Sequence, residues 1–131
     1  MARAIVIIIA RFIFSLIFFM AAGFKFADIG ATASYIAAAG FPMATFLTWV
    51  AALFEIALAL AFISGAFFTE ASLLAGIYVI FLAFAFHGPA HWQQNQAEFG
   101  FFVDHFTFLA GLLFAAVHGP ERWALGQTFL R

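Results

Sequence analysis

Four long apolar blocks constrain this chain more than any other feature of its sequence. Each is close to the length, about 20 residues, that an α-helix needs to cross the hydrocarbon core of a bilayer. Only 8% of the 131 residues are charged, whereas an ordinary soluble domain has about 25%. The sequence therefore predicts an all-α polytopic membrane protein, a four-transmembrane-helix antiparallel bundle. The predicted helices are Ala4–Phe24, Met43–Ser64, Thr69–Phe86 and Phe99–Val117.

The segments between these blocks contain the helix-breaking residues. Gly40 and Pro42, Gly65, and then Gly88 and Pro89 all fall where one apolar block gives way to the next. A strand is excluded inside the blocks, since an open strand in lipid would leave backbone groups unpaired at several kcal/mol each. Because the connections are short, we expect a single transmembrane domain spanning residues 1–131.

Charge and cysteine content exclude several classes of function. The net charge is −1 and there is no basic patch, so a nucleic-acid partner is not expected. Cysteine is absent, which excludes thiolate metal sites and a dithiol relay. Any redox role must therefore be carried by other groups. The expected partners of the chain are lipid and other membrane subunits.

The few charges outside the blocks predict the orientation. Arg3, Arg122 and Arg131 flank the two termini, while the loops on the opposite side contribute only Lys25. Basic residues are enriched on the cytoplasmic side of membrane proteins, so both termini are expected there. The predicted interfacial anchors are Trp92 on the outer side and Trp123 on the inner side.

Two ionisable residues lie deep inside apolar blocks, Arg11 in the first and Glu55 in the second. At about 1.5 Å per residue, Arg11 lies about 10 Å from the cytoplasmic end of its helix and Glu55 about 13 Å from that end of its own. Because the depths are similar, we expect a structural ion pair that spares each charge an unpaired burial. The alternative is that Glu55 accepts protons beside a quinone or along a proton path.

A second polar group is expected at the outer side. It consists of Lys25, His87, His91, Asp104 and His105, and it forms a candidate polar or quinone pocket. Imidazole suits a metal, a haem axial position or a hydrogen bond to a quinone carbonyl, and the spacing does not choose among them. The competing interpretation is that the outer histidines are interfacial residues and that Asp104 and His105 form hydrogen bonds inside the bundle.

A metal site is not favoured by the spacing of these histidines. His87 and His91 are four residues apart, but Gly88 and Pro89 interrupt the helix that would align them. We therefore predict no metal, and leave the cofactor open with a quinone ahead of haem.

Several short motifs, taken in order, resemble the DoxX family of small bacterial membrane proteins. The resemblance spans nearly the whole chain. It rests on Ala10 and Arg11, AGFK from Ala22 to Lys25, Tyr35, AAGFP from Ala38 to Pro42, Glu55, Phe86 and His87, Gly111, and Gly119 with Pro120. It implies a four-helix protein of the bacterial inner membrane that is associated with redox or quinone-linked complexes.

The chain departs from the family pattern in its fourth helix. Many relatives carry a Lys-Asn pair where this sequence has Asp104 and His105. This reversal of charge implies a different partner and favours an accessory subunit of an electron-transfer complex over an independent enzyme. The alternatives are a purely structural, lipid-binding scaffold subunit and a carrier of protons or a small solute.

Overall fold

The computed structural model describes residues 1–126, and within that range every long element is an α-helix. Four of these helices are long and apolar enough to cross a membrane, which confirms the predicted all-α, polytopic class. The helices are α1 Ala2–Ala27, α2 Ile29–Ala38, α3 Ala44–Ser64, α4 Phe68–His87 and α5 Gln96–His118, with a single 3₁₀ turn at Pro89–His91.

Helix α2 was not predicted, because it lies between the first two predicted spanning helices, Ala4–Phe24 and Met43–Ser64. The side chain of Asp28 caps its start by accepting a hydrogen bond from the backbone N–H of Ala31 at 2.9 Å. The helix has only 10 residues, which is too few to cross a bilayer, so a search for spanning segments passes over it. It packs against α3.

The first compact unit contains α1, α2, α3 and, after α5, the described residues 120–126. Helices α1 and α3 are antiparallel, and the Ser15 hydroxyl donates to the Ala59 carbonyl at 2.8 Å between them. The ring of Phe62 is fully buried between those of Phe14 and Phe18, with centroids 5.1 and 5.8 Å away. These contacts fix the register of α1 along α3.

The second compact unit, in residues 67–119, is an antiparallel hairpin of α4 and α5. The Thr69 hydroxyl donates to the Ala116 carbonyl at 3.3 Å near one end of the hairpin. Gly76 allows close approach in the middle, because a Cβ atom there would lie 3.1 Å from Leu109 Cδ1. The hairpin places the end of α4 beside the start of α5.

Replacing Gly76 with valine should push α4 and α5 apart. The branched side chain has no room beside Leu109, and overpacking of this kind typically costs about 1–3 kcal/mol. We expect a matching loss in the free energy of unfolding, measured by circular dichroism during denaturation in detergent. Gly100→Val is the matched control, since a Cβ atom at Gly100 has nothing within 4 Å. Equal losses in the two variants would contradict the packing role of Gly76.

Candidate functional site

The candidate site is built where the α4–α5 hairpin closes. His87 is the last residue of α4, and Glu98 lies in the first turn of α5. Because the hairpin brings these ends together, His87 Nδ1 and Glu98 Oε2 lie 2.5 Å apart. The Asn95 side chain caps α5 by accepting from the backbone N–H of Ala97 at 3.0 Å, which fixes the turn that carries Glu98.

Trp92 connects the loop between α4 and α5 to both of these helices. Its indole N–H donates to the His87 carbonyl at 2.8 Å, and so satisfies an acceptor that the end of α4 leaves unpaired. Its ring packs edge-on against Phe99 and Phe102, with centroids 5.0 and 5.3 Å away. Phe102 in turn contacts Phe84 of α4 at 5.1 Å. An aromatic cluster therefore holds the loop in place beside the contact between His87 and Glu98.

An open cleft of about 280 Å³ lies next to this cluster and is lined by His87, Phe101, Asp104 and His105. His105 Nδ1 lies 2.7 Å from the carbonyl oxygen of Phe101, one turn earlier in α5. The rings of His87 and His105 have centroids 5.2 Å apart, and the Phe101 ring lies 5.3 Å from that of His87. Two imidazoles, a carboxylate and an aromatic ring thus line the same cleft.

The hydrogen bonds of the two imidazoles define which nitrogen carries a proton. A backbone carbonyl only accepts, so His105 Nδ1 must be the donor to Phe101. An ionised Glu98 likewise only accepts, so His87 Nδ1 donates to it. The Nε2 atom of each ring then accepts a hydrogen bond when the ring is neutral and donates one when the ring is protonated. The site therefore offers two imidazole groups to a ligand at its cleft.

Three of the five residues predicted for the polar pocket line this cleft: His87, Asp104 and His105. His91 lies in the 3₁₀ turn, where it is exposed and outside the lining of the cleft. Lys25 belongs to the first unit and binds a different side chain there. The cleft is therefore lined by fewer of the predicted residues than the sequence analysis expects.

The predicted ion pair between Arg11 and Glu55 is wrong. Lys25 occupies the place assigned to Arg11, because its Nζ lies 2.8 and 3.0 Å from the two carboxylate oxygens of Glu55. The Glu55 side chain is 2% exposed and that of Lys25 is 19% exposed. The buried charge pair of the first unit therefore joins α3 to the last turn of α1.

The register of α1 on α3 explains the exchange of partners. Arg11 lies level with Phe62 and Ile63, which is roughly 11 Å along α3 from Glu55. Side chains of a helix lean toward its N-terminus. In this antiparallel pair Lys25 and Glu55 consequently lean toward each other, whereas Arg11 and Glu55 lean apart.

Arg11 is instead held by main-chain carbonyls. Its side chain is buried, and its five N–H groups donate at 2.8–3.2 Å to five oxygens, so no donor is left over. We call this arrangement the Arg11 clamp. Its acceptors are the carbonyls of Phe62, Ile63, Pro120, Arg122 and Trp123.

The backbone around the Arg11 clamp is shaped to present these oxygens. Glu121 and Trp123 adopt left-handed conformations, with φ of 60° and 55°, which normally cost a non-glycine residue about 1–2 kcal/mol. Gly65, at φ 78°, lets the tail approach the end of α3, because a Cβ atom there would lie 2.6 Å from Ala124 Cβ. The hydrogen bonds to Arg11 offset this strain.

The two predicted tryptophan anchors have different surroundings. Trp92 is half-buried in the aromatic cluster described above, whereas Trp123 is 73% exposed and contributes its carbonyl to the Arg11 clamp. Their location at the membrane interface stays a prediction. Arg131, which also entered the prediction of orientation, lies outside the described residues.

Glu98 and Phe101 belong to the site but were not predicted. Glu98 lies just before the predicted fourth helix, which starts at Phe99, although a hairpin necessarily brings the two ends of its loop together. Phe101 contributes a carbonyl that any residue at that position would supply, so no sequence signal exists for it. Within residues 1–126, no three His, Cys, Asp or Glu side chains are grouped so that they could hold a metal ion.

Taken together, the four apolar helices and the buried polar contacts between them define a multi-pass membrane protein. The protein-family model DoxX matches residues 6–88. This chain belongs to the DoxX family. The match includes Arg11, Lys25, Glu55 and His87, while the α5 residues of the cleft lie beyond it. Comparison with curated proteins and with solved structures found no match.

Proposed function

We propose that this DoxX-family protein is a quinone-binding accessory subunit of an electron-transfer assembly in the bacterial inner membrane. In this proposal both termini are cytoplasmic, and the protein contacts lipid and the other subunits of the complex. The observation that carries the proposal is the cleft of His87, Phe101, Asp104 and His105 at the end of an apolar hairpin.

The chemistry of the cleft suits a quinone ring. Such a ring is flat, carries polar oxygens at opposite ends and is attached to a long apolar chain. The Phe101 face can pack on the ring, while the imidazoles reach its oxygens. Exposed apolar side chains on the same hairpin, such as Phe84 and Phe106 at 59% and 38% exposure, provide a surface for the apolar chain. Small-molecule sites commonly combine an apolar wall with a few placed polar groups.

An accessory role is favoured by the partners of the charged groups in the first unit. Lys25 and Glu55 bind each other, and every N–H of Arg11 is used by a carbonyl. These groups are occupied in holding helices and the tail together. The polar side chains that line the cleft belong to the second unit.

The test is the quinone content of the purified protein. Extracted from its native membrane in a mild detergent, it should retain close to one quinone per chain, measured by solvent extraction and chromatography. His105→Gln should lose most of it, because the imidazole at the cleft is removed. His91→Gln is the matched control, since His91 is an exposed histidine outside the cleft. Absence of quinone from the wild-type protein, or equal retention by both variants, would overturn the proposal and favour a structural scaffold.

A further inference from the structure

Asp104 is an exposed carboxylate within a helix that is long and apolar enough to cross a membrane. It follows Gln96, the first residue of α5, by eight residues, which is about 12 Å along the helix axis. Unlike lysine or arginine, aspartate is too short to reach the membrane surface from this depth. Ionisable residues inside a bilayer are costly and almost always pair with another group. Asp104 therefore requires a partner.

The described part of the chain does not provide that partner. Within residues 1–126, Asp104 makes no hydrogen bond and no ion pair. Its exposed neighbours along α5, Phe101, Val103 and Phe106, are all apolar. The carboxylate thus lies on an outer surface of the protein that otherwise suits lipid. The group that pairs with it must come from another molecule.

The surface around Asp104 has the form of a helix-packing face. Gly100, Thr107 and Gly111 lie four residues before it, three after it and seven after it, so all four residues share one side of α5. A Cβ atom at Gly100 would have nothing within 4 Å, so this side is open. Small residues at this spacing let two spanning helices approach closely. We call this surface the Asp104 face.

We infer that the Asp104 face binds a spanning helix of a different subunit, one that carries an arginine or a lysine at the depth of Asp104. This inference rests on the proposed accessory role and deepens it by naming the chemistry of the partner. A cationic side chain complements an ionised carboxylate, and the attraction is strong where water is scarce. Because Asp104 also lines the cleft, the partner helix borders the ligand site.

A second copy of this chain does not supply the cation. Arg11 and Lys25 are already bound inside the first unit, by five carbonyls and by a carboxylate. Arg122 follows the end of α5, about 21 Å beyond Asp104, and Arg3 pairs with a carboxylate of that same tail. Among the described basic residues, a copy inserted in the same orientation therefore brings no available arginine or lysine to the level of Asp104.

The experiment uses a synthetic spanning peptide of leucine and alanine as the probe, with one arginine about 12 Å from one end. The full chain, labelled through Gln93→Cys, is placed in lipid vesicles with the fluorescent peptide, and binding is measured by energy transfer. The chain has no cysteine of its own, so the label is specific. We expect the arginine peptide to bind roughly tenfold more tightly than a peptide with leucine in its place, which is about the strength of a polar contact between spanning helices.

Three variants test whether the preference depends on the Asp104 face. Asp104→Asn should make the two peptides equal, and Gly100→Val should weaken both because its side chain fills the open face. Glu121→Gln is the matched control, since it removes a carboxylate that lies outside α5 and should keep the preference. Equal binding of the two peptides to the labelled chain, or a preference that survives in Asp104→Asn, would overturn the inference.

Two further measurements separate this inference from its alternatives. Sedimentation of the full chain in detergent should not change in Asp104→Asn; a dimer that dissociates in this variant would assign the face to a second copy and overturn the inference. Quinone content is measured on the same preparations. Quinone retained without a peptide preference overturns this inference alone, whereas a peptide preference without quinone supports the partner surface and overturns the proposed quinone site.

Discussion

Replacing Arg11 with methionine is expected to be the most destabilising single change in this protein. It removes all five hydrogen bonds of the Arg11 clamp and leaves five carbonyl oxygens to find other partners. A buried polar group without a partner costs about 1–3 kcal/mol. Because some of these oxygens will gain water, we expect a total loss of about 3–5 kcal/mol in the free energy of unfolding.

The loss should be largest where the clamp holds the tail. Hydrogen exchange in residues 120–126 is expected to accelerate in Arg11→Met, together with a lower midpoint of unfolding in detergent. Arg11→Lys should recover only part of the stability, since three donors on one nitrogen cannot reach five separated oxygens. Arg3→Met is the matched control, because the Arg3 side chain is 75% exposed and pairs with Glu121 at the surface. A loss at Arg11 no larger than that at Arg3 would contradict the clamp.

The second large effect is expected at Glu55. Replacing it with alanine leaves the Lys25 ammonium in a largely buried position with no carboxylate beside it. Breaking a buried ion pair from one side typically costs about 3–5 kcal/mol. The lower part of that range is expected, since Lys25 lies in the last turn of α1 and can turn toward a polar surface.

A double variant separates the ion pair from simple packing. Lys25→Met combined with Glu55→Leu replaces both charges with apolar groups of similar size, and such replacements are often neutral or stabilising. We expect it to unfold within about 1 kcal/mol of the wild type, measured in the same detergent as the single variants Lys25→Met and Glu55→Leu. If the losses of the single variants simply add in the double variant, Lys25 and Glu55 do not stabilise each other.

The positions of the long helices could be predicted because one physical requirement governs them. A segment that crosses a bilayer must be apolar for about 20 residues, and the four blocks satisfy this within a few residues of the observed ends. Helix α2 obeys no such requirement. Its formation depends on the Asp28 cap and on packing against α3, and neither appears in a hydropathy pattern.

The partner of Glu55 could not be predicted for a different reason. Depth along a helix was estimated from the ends of the apolar blocks, which assumes that the ends of α1 and α3 are level. The contacts of Ser15 and Arg11 show instead that α1 is displaced along α3. A shift of this kind is set by how side chains interlock, so it needs coordinates of both helices.

Some residues of the candidate site could also be predicted from the sequence, and others could not. Asp104 and His105 were predicted because ionisable residues in an apolar helix are conspicuous. The role of Glu98 depends on the closing of the hairpin, and the role of the Phe101 carbonyl depends on the rotamer of His105. Neither is a property of residue type.

The Arg11 clamp has a consequence for how this tail can change over evolutionary time. All five acceptors are main-chain oxygens, so the arginine recognises the path of the backbone and is indifferent to the side chains attached to it. Substitutions at residues 122 and 123 that keep the same φ and ψ angles leave the clamp intact. The side chains at residues 122 and 123 can therefore change within these backbone limits while Arg11 is retained.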